Sequence, residues 1–222
     1  MTRAHVLVEG QTEETFVKRV LGPHLAASGV FLTPILVATK RVKEGRKFKG
    51  GVTRYEPVRK DLLRLLHDHG AAAVTTMIDY YGLPADFLGL AALTSGVSCY
   101  QRVDFLEEAL RSDLDHPRFR PYLSLHEFEA LLLTSPLEIG GVLLERSAME
   151  KLAREIRTFP SPEEIDDGPD SHPAARILRK VPAYRKALHG PLVVERIGLP
   201  ALRRTCPHFD EWVTWLESLG QR

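Results

Sequence analysis

The stretch AAAVTTMID, residues 71–79, constrains the fold more than any other part of the chain. Its residues are small or β-branched and do not alternate with polar ones. That is the composition of a strand covered by helices on both faces, and so of a parallel sheet. Segments of helical period stand on either side. Before it, Val58, Leu62, Leu65 and Leu66 mark a helix over residues 55–69, with Gly70 as its stop signal; after it, Gly82 and Pro84 break the chain ahead of a helix around 103–110. Upstream, Val6, Leu7 and Val8 belong to a strand over 4–8. Phe16, Val17, Val20, Leu21 and Leu25 then recur at helical spacing behind a predicted N-cap at Thr12. Residues 31–37 read as a second strand, which Pro34 confines to an edge or a bulge, and residues 122–125 as a fourth. This alternation predicts an α/β domain over residues 1–135, with a mostly parallel four-stranded sheet flanked by helices. From Pro136 onward, prolines punctuate helices and an acidic stretch lies near 161–170, which predicts a helical C-terminal extension, 136–222, packed on that domain. Its last helix, 209–219, sets Trp212, Trp215, Leu216 and Leu219 on one face for docking.

With 222 residues, 44% of them hydrophobic and 27% charged, the chain can bury a substantial core. No apolar run approaches the roughly 20 residues of a membrane span, and the N-terminus lacks the basic-then-apolar layout of a secretion signal. A cytoplasmic protein without membrane partners is expected. Cys99 and Cys206 are too few for a disulfide framework or a zinc site of their own, so both are expected to be reduced.

The net charge of +1 conceals an uneven distribution. Lys40, Arg41, Lys43, Arg46, Lys47 and Lys49 crowd a segment without periodicity that reads as a mobile loop. It is either a solvated surface or a grip on the phosphate backbone of DNA or RNA, with Phe48 and Tyr55 available to stack on bases. Arg176, Arg179, Lys180, Arg185 and Lys186 form a second basic group, and either group could instead face an acidic partner protein.

Carboxylates fall just where predicted strands stop: Glu9 and Glu13 after the first, Asp79 at the end of the third, Glu127 and Glu129 after the fourth. In an open parallel sheet the ligand crevice lies at the carboxyl ends of the strands, so these acids can share one site. An unpaired acid ending an apolar strand is costly unless it caps, pairs or coordinates. The cation suited to an oxygen-only site is Mg²⁺ or Mn²⁺. Such ions can activate the attacking oxygen and stabilise the leaving one in phosphodiester cleavage. Taken singly, Glu13, Glu14 and Glu129 also read as solvated charges or helix caps. Competing motifs are incomplete. His126-Glu127 would begin a zinc-protease helix, but Ala130 stands where the second histidine belongs. No Walker-type phosphate loop and no nucleophile elbow accompanies the remaining candidates.

VEGQTEE at 8–14 and MIDYYG at 77–82 resemble the TOPRIM domain of topoisomerases, primases and OLD-type nucleases. The resemblance implies that Glu9 is the glutamate, and Asp79 the first aspartate, of the set that gathers Mg²⁺ in that family. Tyr81 stands in place of the second aspartate, and Glu127 or Glu129 is the candidate substitute. The chain also resembles, over nearly its full length, an uncharacterised bacterial TOPRIM-like family with EGxTEExF, IDYYGLP, HEFEALL, YRKxLHG and CPHFxxW in that order. Here these are residues 9–16, 78–84, 126–132, 184–190 and 206–212. Relatives of this type are often encoded beside an ABC-type ATPase, which implies a two-component system with a nucleolytic purpose in defence or repair. Glu9, Asp79 and Glu127 are then the expected catalytic residues, with Glu13 and Glu129 as further metal ligands. A non-catalytic subunit regulating the ATPase is the alternative.

Overall fold

Ala73–Asp79 forms the central strand, β3, and all of its residues are buried. The computed structural model describes residues 1–38, 53–94, 96–165 and 168–221. In it β1 (Thr2–Val8) runs parallel to β3 on one side, and β4 (Phe119–Arg120) and β5 (Leu123–Ser124) run parallel to it on the other. The edge strand β2 (Val30–Leu36) pairs in parallel with β1, giving the order β2-β1-β3-β4. Pro34 therefore sits on an edge, opposite Val6, where its missing N–H leaves no inner ladder broken.

The fourth position of the sheet holds two short strands instead of one. Pro121 lies between them and cannot donate to β3. The Thr76 hydroxyl bridges the gap, donating to the Tyr122 carbonyl and accepting from the Tyr122 N–H, each at 2.8 Å.

Strand alternation divides the core in two. Ala4, Val6, Val8, Ala73 and Met77 face one side, and Leu7, Val74 and Ile78 the other. The second face is covered by α3 (Tyr55–Leu66) and by α4 (Cys99–Leu114), which starts with a capping box between Ser98 and Gln101. The first is covered by a continuous helical stretch made of α1 (Gln11–Phe16), a π-helical segment (Val17–Leu21) and α2 (Gly22–Ala26). On the same face lie α5 (Glu129–Leu132), α6 (Pro136–Leu143), α7 (Arg146–Ile156), α8 (Pro173–Lys180), α9 (Lys186–Ile197), α10 (Leu199–Thr205) and α11 (Pro207–Ser218). Met149, Ile177, Val194, Phe209 and Trp212 of these helices share one apolar cluster with Val6 and Met77 of the sheet. Among the described residues no helix is long and apolar enough to cross a membrane.

Two local expectations shift. The N-cap of α1 is Gly10, and Thr12 is buried inside the first turn, where its methyl group packs toward α9. Helix α3 ends at Leu66, so Gly70 belongs to the following turn, its N–H held by Asp68.

Candidate metal centre

Because β1, β3 and β5 are parallel, their carboxyl ends open on one edge of the sheet. Glu9 leaves β1 there, and its Oε2 accepts the Asp79 N–H at 3.0 Å. His126 takes a left-handed backbone conformation (φ 60°) after β5, turning the chain back over the strand end. Phe128 N–H thereby donates to Asp79 Oδ1 at 2.9 Å.

The other Asp79 oxygen accepts from Lys186 Nζ at 2.6 Å. That ammonium also stands 3.4 Å from Glu13 Oε1 and 3.4 Å from Glu129 Oε2, and Tyr184 OH donates to Glu129 Oε1 at 3.1 Å. Lys186 reaches the site because α9 lies close against α1 and α5. A Cβ on Gly190, one turn further along, would come within 3.2 Å of the Phe128 ring and 3.3 Å of the Thr12 methyl. The start of α9 is steadied by His189 Nδ1, which accepts the Arg185 N–H at 2.9 Å.

Burial dominates the electrostatics. It pushes the Glu9 carboxyl up to about 8, with the Asp79 charge adding to the effect. Burial likewise lifts Glu129 to about 7, against the pull of Lys186. Glu13 is raised for the same reason. Burial also works against the Lys186 charge, but Asp79, Glu129 and Glu13 outweigh it and hold the ammonium well above its ordinary value. With 36% of its side chain exposed, Lys186 stays partly hydrated, which eases that cost.

One ammonium does not satisfy four carboxylates. Glu13 Oε1 and Glu129 Oε2 are buried without a hydrogen bond; at 3.4 Å from Nζ they feel attraction only. The donors are all oxygen, which fits a hard divalent cation such as Mg²⁺ or Mn²⁺.

A pH dependence follows. Glu9 and Glu129 keep protons in the folded state where an unfolded chain would have lost them, so stability falls as pH rises from about 4.5 toward 8. Denaturant titrations of the metal-free protein are expected to lose a few kcal/mol between about pH 5.5 and 8.5, and Glu9→Gln to flatten part of that slope. A native profile no steeper than that of the variant would contradict the raised Glu9.

Glu127, the remaining predicted ligand, turns away from Lys186. Its Oε1 lies 2.8 Å from His172 Nδ1 and accepts the Ala174 N–H at the start of α8. Nδ1 also lies 3.4 Å from the Ala175 N–H, but the shorter contact requires Nδ1 to carry the proton and donate to Glu127. The His172 ring stacks on Tyr81, centroids 4.6 Å apart. Tyr81 thus buttresses the Glu127–His172 pair. Lys40, Arg41, Lys43, Arg46, Lys47 and Lys49 lie outside the described residues.

The sequence reading placed Lys186 only in a general basic group and assigned Tyr184 no role. Their signal was the YRKxLHG stretch, which supplies the hydrogen-bond donor to Glu129, the cation, the helix-start clasp and the close-packing glycine. It also missed Asp104, Glu107 and His208, whose ligand atoms all lie within 4.8 Å of one another and could hold a metal. Glu107 Oε1 already accepts from Leu123 N–H at 2.7 Å and meets His208 Nε2 at 3.0 Å, so a partly buried contact accounts for two of the three. A cleft of about 190 Å³ lined by Asp104, Glu107, Arg111 and Arg120 adjoins them.

Fold and site together define an α/β protein with buried carboxylates gathered at the carboxyl edge of a parallel sheet. The chain belongs to the family described as Domain of unknown function (DUF4276), whose model matches residues 8–217. No curated protein matches it significantly. Among solved structures it is similar to the C-terminal region of the Xanthomonas campestris pv. campestris OLD protein. The platinum-phased structure is 14% identical, with 96% of this chain and 95% of that chain covered and a TM-score of 0.42. The mercury-phased structure is 14% identical, with 97% and 98% covered and a TM-score of 0.39.

Proposed function

We propose that the protein is a Mg²⁺- or Mn²⁺-dependent phosphodiesterase of TOPRIM type that cleaves nucleic acid. The observation that carries this reading is the convergence of Glu13, Asp79 and Glu129 on one cation position, beside Glu9, with two buried carboxylate oxygens still lacking a hydrogen bond. Glu9, Glu13, Asp79 and Glu129 would hold the ion. When bound, it supplies Lewis-acid polarisation of a phosphoryl oxygen and a more acidic water.

Glu9, beside the ion, would take the proton of the attacking water or return one to the leaving oxygen. Phe128 N–H and Tyr184 OH fix the orientations of Asp79 and Glu129. Glu127, hydrogen-bonded to His172, stands on the Tyr81 side of the site. Lys40, Arg41, Lys43, Arg46, Lys47 and Lys49 would hold the phosphate backbone. The motif resemblance supports an ABC-type ATPase as partner, in bacterial defence or repair. Single- and double-stranded DNA and RNA incubated with Mg²⁺, with Mn²⁺ and with chelator should show metal-dependent cleavage. Glu9→Gln should slow that cleavage by about 10²–10⁴-fold. Equal cleavage by variant and native protein would sink the assignment.

A second reading is a non-catalytic regulatory subunit of such an ATPase. It is favoured by Lys186 standing among the carboxylates and by Tyr81 at the position of the second aspartate. Tight association with the ATPase without Mn²⁺ binding would decide for it.

A further inference from the structure

The Lys186 ammonium stands at the point on which three buried carboxylates converge, yet it makes a hydrogen bond to only one of them. An ion coordinated by Asp79, Glu13 and Glu129 would have its oxygens at roughly 2.0–2.6 Å, inside the volume that Nζ now fills. Two cations cannot share that point, because like charges a few ångströms apart in a partly buried site repel strongly. Lys186 is the first residue of α9 and more than a third of its side chain is exposed, so rotation of its flexible four-carbon stem carries the ammonium to solvent without moving the helix.

We propose that Lys186 is the resident cation of this site, that a divalent ion binds by displacing its ammonium, and that this one side chain therefore sets the protein's affinity for metal. The proposal rests on the metal-site reading above and adds to it a competitor supplied by the chain itself. In the lysine-in state the site is not competent for metal, and the apparent affinity is lowered by the fraction of molecules in the lysine-out state. Glu13 Oε1 and Glu129 Oε2 gain in the exchange the coordination that the ammonium fails to give them.

Native protein and Lys186→Met are titrated with Mn²⁺ alone and the bound ion is followed by electron paramagnetic resonance. The variant is expected to bind Mn²⁺ about tenfold tighter, as removal of an occupying competitor requires. In parallel, lysines of the native protein are acylated with and without Mn²⁺ and mapped by mass spectrometry. Mn²⁺ is expected to raise the acylation rate of Lys186 about tenfold while the surface lysines keep their rates, because only a released amine can lose its proton and react. This second measurement decides the matter by itself if the methionine variant does not fold. Mn²⁺ binding with unchanged acylation of Lys186, or with equal affinity in both proteins, would overturn the displacement and leave the metal site standing. Absence of Mn²⁺ binding in both proteins would overturn the metal site and the displacement with it.

Discussion

Asparagine in place of Asp79 is expected to abolish Mn²⁺ binding and to lower cleavage by more than about a hundredfold, since even outer-shell partners of metal ligands cost 10–100-fold when removed. Asp79 is the residue on which the site depends geometrically. Its backbone N–H holds Glu9, one carboxylate oxygen accepts from Phe128, and the other is the one hydrogen-bonded to Lys186. Asparagine keeps the first two of these bonds, because its side-chain carbonyl still accepts from Phe128. It removes the charge that holds Lys186 most closely, and with it a repulsion that raises Glu9, Glu13 and Glu129. The two changes oppose one another in stability, so the folded state survives and the loss falls on cation binding. The measurements are a Mn²⁺ titration, a cleavage assay and a thermal melt on the same preparation. Full cleavage with the melt unchanged would remove Asp79 from the chemistry.

Trp212→Ala is expected to cost about 3–5 kcal/mol of stability. It should lower the melting temperature by roughly 6–20 °C, at about 2–4 °C per kcal/mol for a chain of this size. Trp212 is buried on α11, stacked on Tyr122 with ring centroids 4.2 Å apart and planes 8° from parallel. Its indole N–H donates to Thr75 of the central strand at 2.9 Å. Alanine leaves a cavity between α11 and the sheet and an unpaired hydroxyl beneath it. Phenylalanine retains a ring over Tyr122 and loses only the bond to Thr75, so Trp212→Phe should recover most of the loss. An alanine variant melting within 2 °C of the native protein, less than about 1 kcal/mol, would show that α11 is not anchored through this ring.

The strands and the helices around residues 12–25, 55–69, 103–110 and 209–219 were legible because their signals are local, whereas the helices between Glu129 and Thr205 were read only as a helical region. Residues 71–79 could be read as a doubly covered strand, Pro34 as an edge or a bulge and residues 103–110 as a helix from composition and spacing alone, whereas the capping box that starts α4 at Ser98 was not read. The divided fourth strand was less legible. Pro121 marks the break, but its repair by the Thr76 hydroxyl depends on two segments 46 residues apart. The carboxylates were legible as a group for the same local reason: each follows an apolar strand.

Which of them meet, and around what, was not legible. Lys186 lies 107 residues from Asp79, and the YRKxLHG stretch around it does not say which of its two basic residues meets an acid. His208 meets Glu107 across 101 residues in the same way. By itself the sequence determined a parallel α/β sheet with acids at its carboxyl edge, because strand composition and strand ends are properties of neighbouring residues. The tertiary structure alone decided that Glu13 and Glu129 turn inward to share a cation position while Glu127 turns to His172, and that a lysine from a distant helix stands among the acids. Burial makes uncompensated carboxylates costly, and the close approach of α9 allowed by Gly190 supplies the compensating charge.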